Sequence, residues 1–315
     1  MQVHEDLSSF PDLNFPVVTS GTFDGVHLGH QKIINQVINE AKNQQGESVL
    51  ITFDPHPRQI LFPEDKSLRV ITPFEHKVKM LDKLGIDHLL KIKFSREFSQ
   101  KSSLEFIDEI LLNTINTKLL VIGYDHRFGK NREGGFEYLQ KHAPKFGFEV
   151  LEIPRQDIDN LGISSTKIRE ALMGGNISKA NAYLGRNYQL KGKVVAGNKI
   201  GREIGYPTAN IEPLETLQMI PTDGIYAVFV EYRQHIFKGM LSIGIRPTIG
   251  DSTRTIEVNI FDFKADIYNQ ELNIFFVEKY REEEKFDSLE ALKEQLHTDF
   301  KKANDILSQH PLQVL

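Results

Sequence analysis

A chain of 315 residues exceeds the usual extent of one hydrophobic core, so two domains are expected, and 40% hydrophobic with 26% charged residues is the composition of an ordinary soluble protein. With no cysteine the chain has no disulfide, thiolate metal site or cysteine nucleophile, which suits a reducing compartment. A net charge of −5, dispersed basic residues, no apolar run of bilayer length and no export leader over Met1 to Phe10 point away from nucleic acid and membrane, toward the cytoplasm.

The first half alternates strand and helix. An apolar run from Phe15 to Ser20 is followed by Leu28, Ile33, Ile34, Val37, Ile38 and Ala41 at helical spacing, then by a second run from Ser48 to Phe53, making a βαβ unit. Runs at His88 to Ile92, Lys118 to Gly123 and Glu149 to Ile153, separated by helical patterns, imply a mostly parallel sheet covered on both faces. Ligands of such sheets sit at the carboxyl ends of the strands. Two short helices are predicted around Ser164 to Met173 and Ile177 to Leu184, parted by Gly174, Gly175 and Asn176. The boundary is expected just after them, giving domains of residues 1–185 and 186–315.

Beyond Gly185, strands adjoin strands: Tyr188 to Val195, Gly224 to Val230, Phe237 to Ser242, Ile256 to Phe261 and Leu272 to Glu278, which suggests an antiparallel barrel. The last element is a helix with Leu289, Leu292, Leu296 and Phe300 on one stripe, opened by Asp287 with Glu290 as a capping pair and expected to pack on the barrel.

Chemistry-bearing residues gather at strand ends. The stretch Thr19-Ser20-Gly21-Thr22-Phe23-Asp24-Gly25-Val26-His27-Leu28-Gly29-His30 leaves a buried strand, turns at glycines and enters a helix with two imidazoles near its start. Free N–H groups and the dipole at such an end favour phosphate, and Gly29 lets a nucleotide approach the backbone. His27 and His30 can donate to charge building on a phosphate oxygen. A tight turn with capping or surface histidines gives the same pattern, while a zinc site lacks a third ligand at suitable spacing. Thr52-Phe53-Asp54-Pro55-His56-Pro57 and Gly123-Tyr124-Asp125-His126-Arg127-Phe128-Gly129 end two more strands where ligand loops gather. Ile163-Ser164-Ser165-Thr166-Lys167-Ile168-Arg169 opens a helix with hydroxyls and two cations, suited to a polyphosphate or to plain capping with solvated basic residues.

GTFDGVHLGH, TFDPHP, GYDHRFG and ISSTKIR together resemble, in order, the FAD synthetase module of bacterial bifunctional riboflavin kinase/FMN adenylyltransferases, within the nucleotidyltransferase superfamily whose HxGH motif is here His27 to His30. The resemblance implies a Rossmann-like domain in which Gly21, Phe23, Asp24, Gly29, Ser164, Ser165, Thr166, Lys167 and Arg169 bind ATP. It implies His27 and His30 as catalytic groups and Asp125, Arg127 and Phe128 as flavin contacts. The FMN phosphate would attack the α-phosphorus of ATP, pyrophosphate leaving with no covalent enzyme intermediate.

In the second half, Lys191-Gly192-Lys193, Gly197, Gly201-Arg202 and Gly205-Tyr206-Pro207-Thr208-Ala209-Asn210 set glycines beside basic residues, able to wrap phosphates through backbone N–H groups, and no GxxxxGK[ST] sequence supports a P-loop. Thr208 and Asn210, two apart in an extended segment, offer neutral oxygens on one face that suit magnesium. In Thr255-Ile256-Glu257-Val258-Asn259-Ile260, alternation puts Glu257 and Asn259 on one face, expected to line a polar cavity where the carboxylate takes the proton of a hydroxyl attacking γ-phosphate. An exposed outer barrel face is the other reading.

Gly201 through Asn210, Asp223 to Ala227, Ile243 to Thr248, the Glu257 strand and Tyr280 to Phe286 resemble the riboflavin kinase family, again in order. That resemblance implies a six-stranded antiparallel barrel with a terminal helix, Glu257 as catalytic base, and Thr208 and Asn210 holding Mg2+ and nucleotide with Gly197, Lys199 and Gly201 nearby. Arg281 belongs to the segment that resembles one closing over the flavin. Riboflavin, FMN and ATP are the expected small-molecule partners and FAD the final product, with no obligate protein partner. His126 stands where many members have Phe, and Asn259 where many have His. Two other readings are a related nucleotidyl transferase whose barrel only binds, which predicts no FMN from riboflavin and ATP, and a flavin-binding regulator with a dead kinase, which predicts loss of Glu257, Thr208 or Asn210.

Overall fold

Pro16 to Ser20 are buried without exception, as a central parallel strand covered on both faces requires. The computed structural model describes residues 1–124, 126–153, 162–197, 201, 205–248 and 251–315. It divides into two compact units, residues 1–165 with Leu315, and residues 166–314.

In the first unit, strands β1 (Gln2–His4), β2 (Pro16–Ser20), β3 (Glu47–Asp54), β4 (His88–Lys93), β5 (Leu119–Gly123) and β6 (Glu149–Ile153) form one sheet in the order β1-β4-β3-β2-β5-β6. Every pairing is parallel. The chain leaves β2 toward β3 and β4 and returns to β5 on its other side, so the topological switch lies between β2 and β5, where such sheets open a crevice. Alternate strand residues face opposite layers: Val18, Val49 and Ile51 join one apolar cluster, Val17 and Leu50 the other. Helices α1 (Leu28–Asn43), α2 (Pro57–Leu61) and α3 (Phe74–Leu84) follow the first strands, α1 burying the predicted Ile34, Val37, Ile38 and Ala41. Helix α4 (Ser103–Phe106) continues into a wider π-helical stretch, Ile107–Thr114, and α5 (Phe136–Phe146) precedes β6.

In the second unit, α6 (Ser165–Met173), whose first residue is counted with the first unit, and α7 (Ile177–Leu184) precede strands β7 (Tyr188–Val195), β8 (Ala209–Pro213), β9 (Gly224–Tyr232), β10 (His235–Thr248), β11 (Asp251–Ile260) and β12 (Glu271–Arg281). These six close into an antiparallel barrel in the order β10-β11-β8-β7-β12-β9. Asn181 of α7 holds it to the barrel, its amide donating to the Phe276 carbonyl at 2.8 Å. Ile225, Ala227, Phe229, Phe275 and Val277 form an outer apolar wall against Ala303 and Leu307 of α8 (Leu289–Gln309). Their neighbours Tyr226, Val228, Val230 and Phe276 are fully buried on the opposite, inner side.

Three expectations change in detail. Strands β1 and β8 extend the predicted set. The cap of α8 is Ser288, whose hydroxyl accepts the Ala291 N–H at 3.1 Å, and not Asp287: both residue types cap well, and the one whose oxygen reaches the third N–H wins. With that start Leu289 is 52% exposed, and the stripe runs instead through Leu296 and Phe300 to Ala303 and Leu307.

At the sheet edge, Glu47 Oε2 accepts from His88 Nε2 at 3.0 Å, so His88 Nδ1 is left as the acceptor for His4 Nε2 at 3.0 Å. Burial first, and then His88, hold the His4 pKa below the ordinary imidazole value. The unfolded chain therefore binds the proton more readily, and stability falls as pH drops through about 6.5, the unfolded value. We predict that the thermal midpoint of the first unit declines between pH 7 and 5.5 and that His4→Gln flattens part of that slope; scanning calorimetry across this range checks it, and an unchanged slope would be the contrary result.

Candidate active sites

Strand β2 ends in a turn that ordinary residues adopt reluctantly: Phe23 has φ 46°, Val26 φ 41° and, between them, Gly25 φ 94°. Two buried ionic groups hold it. The Lys77 ammonium, on the packed face of α3, donates to the Thr22 carbonyl at 2.6 Å and to Thr52 Oγ1 at 3.3 Å. The Asp24 carboxylate accepts from the N–H groups of Ile71 at 2.9 Å and Thr72 at 3.0 Å. Ser165 Oγ donates to the Asp24 carbonyl at 2.8 Å, bringing one of the predicted hydroxyls onto the turn.

The turn delivers the chain into α1, with His27 as its N-cap. His27 Nδ1 accepts the backbone N–H of His30 at 3.2 Å, so in the neutral ring the proton sits on Nε2, which makes that nitrogen a donor. The two imidazoles stack with centroids 3.6 Å apart, and the Phe23 ring meets His30 edge-on at 5.2 Å. His30 Nδ1 is buried without a hydrogen bond. Burial, then the charges of His27 and Lys77, hold the His30 pKa well below the usual imidazole value, which keeps this ring neutral near pH 7. The arrangement offers N–H donors, a helix dipole and buried positive charge at the sheet's switch point, a setting for a polyphosphate.

Gly21 and Gly29 lie on the same turn and helix start. His126 reaches the turn from the end of β5, its Nε2 3.3 Å from Ser20 Oγ. Phe128 is packed into the core against Phe106, centroids 5.2 Å apart, while Arg127 is exposed. Ser164 and Ser165 belong to the first unit, whereas Thr166, Lys167 and Arg169 lie on α6 in the second. Asp125, Lys199 and Arg202 lie outside the described residues.

The second constellation is on the barrel. Glu257 of β11 faces Asn210 of β8 on one side and Ser242 of β10 on the other. Thr208 Oγ1 donates to Glu257 Oε2 at 3.1 Å. Two residues along β11, Asn259 Nδ2 donates to the Pro207 carbonyl at 2.7 Å, which straps the Gly205 to Thr208 loop onto the strand. A methyl group at Gly197 would occupy the space of the Asn210 amide, and one at Gly201 would strike the Tyr206 carbonyl. The polar face does not line the inside of the barrel. Met240, opposite Asn259, belongs to the outer wall packed on α8, so Glu257 stands on the outside, under the strapped loop. The lumen is filled by side chains such as Tyr226 and Phe276, whose rings meet at 5.3 Å.

Beyond β12, Glu283 Oε1 accepts from Ser242 Oγ at 3.2 Å, so the segment after Arg281 lies along β10 beside Glu257's cross-strand partner. Arg281 itself is committed to Asp299 of α8, through Nε at 2.8 Å and Nη2 at 2.5 Å. Among the described residues no group of three or more His, Asp or Glu is placed to hold a metal ion. Sequence reading missed Lys77, Thr22, Ser242, Glu283 and Asp299. For Lys77 a signal existed: it falls on the helical stripe with Met80 and Leu81, where a lysine is out of place.

Two family models match the chain, FAD synthetase over residues 11–167 and riboflavin kinase over residues 184–307. A protein of Buchnera aphidicola named bifunctional riboflavin kinase/FMN adenylyltransferase is 36% identical over 95% of this chain and 96% of its own length. One of the same name from Listeria monocytogenes is 39% identical over 91% of both chains, and one from Escherichia coli 35% identical over 90% of both. A solved structure from Streptococcus pneumoniae, described as a macrolide-efflux protein, superposes with a TM-score of 0.87 at 31% identity, covering 96% of this chain and 98% of its own. No helix among the described residues here is long and apolar enough to cross a membrane.

The clamp on the turn is open to test by stability. Asp24→Asn puts an amide NH2 against N–H donors at a site 3% exposed, and we predict a loss of about 1–3 kcal/mol from an unmet buried hydrogen bond. Thermal unfolding of the first unit should move down by several degrees; an unaltered midpoint would show that the carboxylate does not hold the turn.

Proposed function

The chain belongs to the bifunctional riboflavin kinase/FMN adenylyltransferase family, and from that membership we propose which of its residues carry each reaction. It phosphorylates riboflavin to FMN with ATP and adenylylates FMN to FAD. We assign residues 1–185 to the adenylyltransferase and 186–315 to the kinase, in keeping with family matches that end at 167 and resume at 184.

For adenylylation, the supporting observation is the pair of stacked imidazoles at the entrance of α1. An FMN phosphate oxygen attacks the α-phosphorus of ATP, the bond to the bridging oxygen breaks, and pyrophosphate leaves with its electron pair. The nucleophile is already anionic, so no base is needed. His27 Nε2–H and His30 donate to the oxygens on which charge builds, and the N–H groups opening α1 favour the same charge. Gly21, Phe23, Asp24 and Gly29 shape the nucleotide's bed, with Ser164, Ser165, Thr166, Lys167 and Arg169 as its polyphosphate contacts. Asp125, Arg127 and Phe128 are assigned to the flavin side.

For phosphorylation, the supporting observation is the Thr208 hydroxyl on the Glu257 carboxylate. The ribityl hydroxyl oxygen attacks the γ-phosphorus, Glu257 takes its proton, and ADP leaves. Thr208 Oγ1, the Asn210 amide oxygen and the Glu257 carboxylate are hard oxygen donors of the kind magnesium prefers, and Thr208 and Asn210 would hold it. Bound there, the ion would offset charge on the transferred phosphoryl group. Gly197, Lys199 and Gly201 are assigned to the ATP phosphates and Arg281 to the flavin side.

Glu257→Gln is predicted to lower FMN formation from riboflavin by about 10²–10⁴-fold while conversion of supplied FMN to FAD persists. His30→Ala is predicted to lower FAD formation by about 10²-fold or more and to spare the kinase. Chromatography of the flavins formed from each substrate with ATP and magnesium reads both; loss of both activities in either variant would sink the separate assignment.

A further inference from the structure

Lys77 is 6% exposed and the mechanism above gives it no task, yet few groups cost more to bury than an ammonium. Its two hydrogen bonds join three elements: α3, which carries it, the Thr22 carbonyl immediately before the left-handed Phe23, and Thr52 near the end of β3. Thr52 Oγ1 also donates toward the Thr22 carbonyl at 3.3 Å, which closes the knot. Phe23 in turn rests edge-on against His30. The ammonium thus sets the position of the ring that backs one of the two proposed catalytic imidazoles.

We propose, resting on the assignment of adenylylation to His27 and His30, that Lys77 is a positioning residue of that reaction: it pins the Thr22-Phe23 turn beneath His30 and supplies a fixed positive charge at the floor of the phosphate site. The charged and titratable groups around this floor include His27 and His30 at the start of α1, Asp24 of the turn, Asp54 at the end of β3 with Lys91 of β4 3.5 Å from it, His126 after β5, and Lys77 of α3. Burial lowers the Lys77 pKa, and the charges of Asp24 and Asp54 oppose that. Its charge is one of the influences keeping His30 neutral, so the ring presents a single oriented N–H and stays stacked on His27 without charge repulsion.

Two neutral variants separate pinning from charge. Lys77→Gln keeps an N–H donor for the Thr22 carbonyl, whereas Lys77→Met keeps only the bulk. In the full chain, Lys77→Met should lower kcat for FAD formation by about tenfold to a hundredfold, the scale of a small misplacement at a reacting centre. Lys77→Gln should recover part of that loss, and riboflavin phosphorylation by the same molecules should stay native, which reports that the chain is folded. NMR titration of ring-labelled histidine should show His30 taking its proton at higher pH in whichever neutral variant folds. A lysine whose charge does not reach His30 would leave that midpoint unmoved, and one that only braces the fold would lower both activities together. Native adenylylation in Lys77→Met, or an unshifted His30 midpoint in a folded neutral variant, overturns the proposal. The underlying assignment fails on a different result, undiminished FAD formation in His30→Ala.

Discussion

The first unit depends on a backbone turn that its own residues resist. Phe23 and Val26 sit at positive φ, each at a cost of about 1–3 kcal/mol, and only the surroundings hold them there. Without this turn β2 would run on past the switch point and α1 could not begin with its N–H groups facing the crevice. The turn leaves the sheet ladder: the pairing of β2 with β3 ends at Ser20 and Ile51, with one last bond from the Gly21 N–H to the Ile51 carbonyl, although β3 itself runs on to Asp54. A cation therefore meets the carbonyl of Thr22 on one side, and the carboxylate of Asp24 meets two N–H groups on the other. Charge-assisted bonds are the stronger kind, and burial makes their loss costly, so the strained geometry is over-determined.

The barrel reaches a site by another route. Glu257 stands on a strand paired on both sides, which fixes its backbone without special dihedrals, and the part that needs holding is the loop from Gly205 to Thr208. Asn259 grips that loop through Pro207, and the Tyr206 hydroxyl lies 3.2 Å from His297 Nδ1 on α8. Placing the site on the outer wall leaves the lumen free for close packing of apolar side chains, which a charged lumen would forbid. The same helix α8 anchors Arg281 through Asp299, so the segment beyond β12 that reaches Ser242 starts from a fixed point.

Periodicity made most of this legible. Val17, Val18, Val49, Leu50 and Ile51 announce a doubly covered parallel strand pair, and the glycine turn before two histidines announces a helix entrance at its edge. What stayed hidden has physical reasons. Strand β1 is three residues long, too short for alternation to show, and joins the sheet only because Gln2, Val3 and His4 find His88, Leu89 and Leu90. Alternation along β11 separates Glu257 from Val258 but does not say which side is the lumen; that follows from closure and from where α8 packs. Asp287 and Ser288 are equally good caps as residue types. The place of Lys77 on the apolar stripe of α3 marks it as buried, but its partner on the turn, like those of Ile71 and Thr72, lies far along the chain, and no local pattern names it.

The two chemistries differ in the state of their nucleophiles, and the carboxylates reflect it. On the proposed assignment a phosphate monoester comes to the first site already carrying negative charge, so a base there would add only repulsion. There Asp24, the carboxylate inside the motif, is turned away and consumed by backbone N–H groups, and the side chains left to face a phosphate are neutral or positive. On the same proposal an alcohol at the second site must lose a proton as it attacks, and the barrel presents there a half-buried carboxylate with a threonine hydroxyl on one of its oxygens. One chain thus places a buried acid where it can only brace, and an accessible one where it can accept a proton.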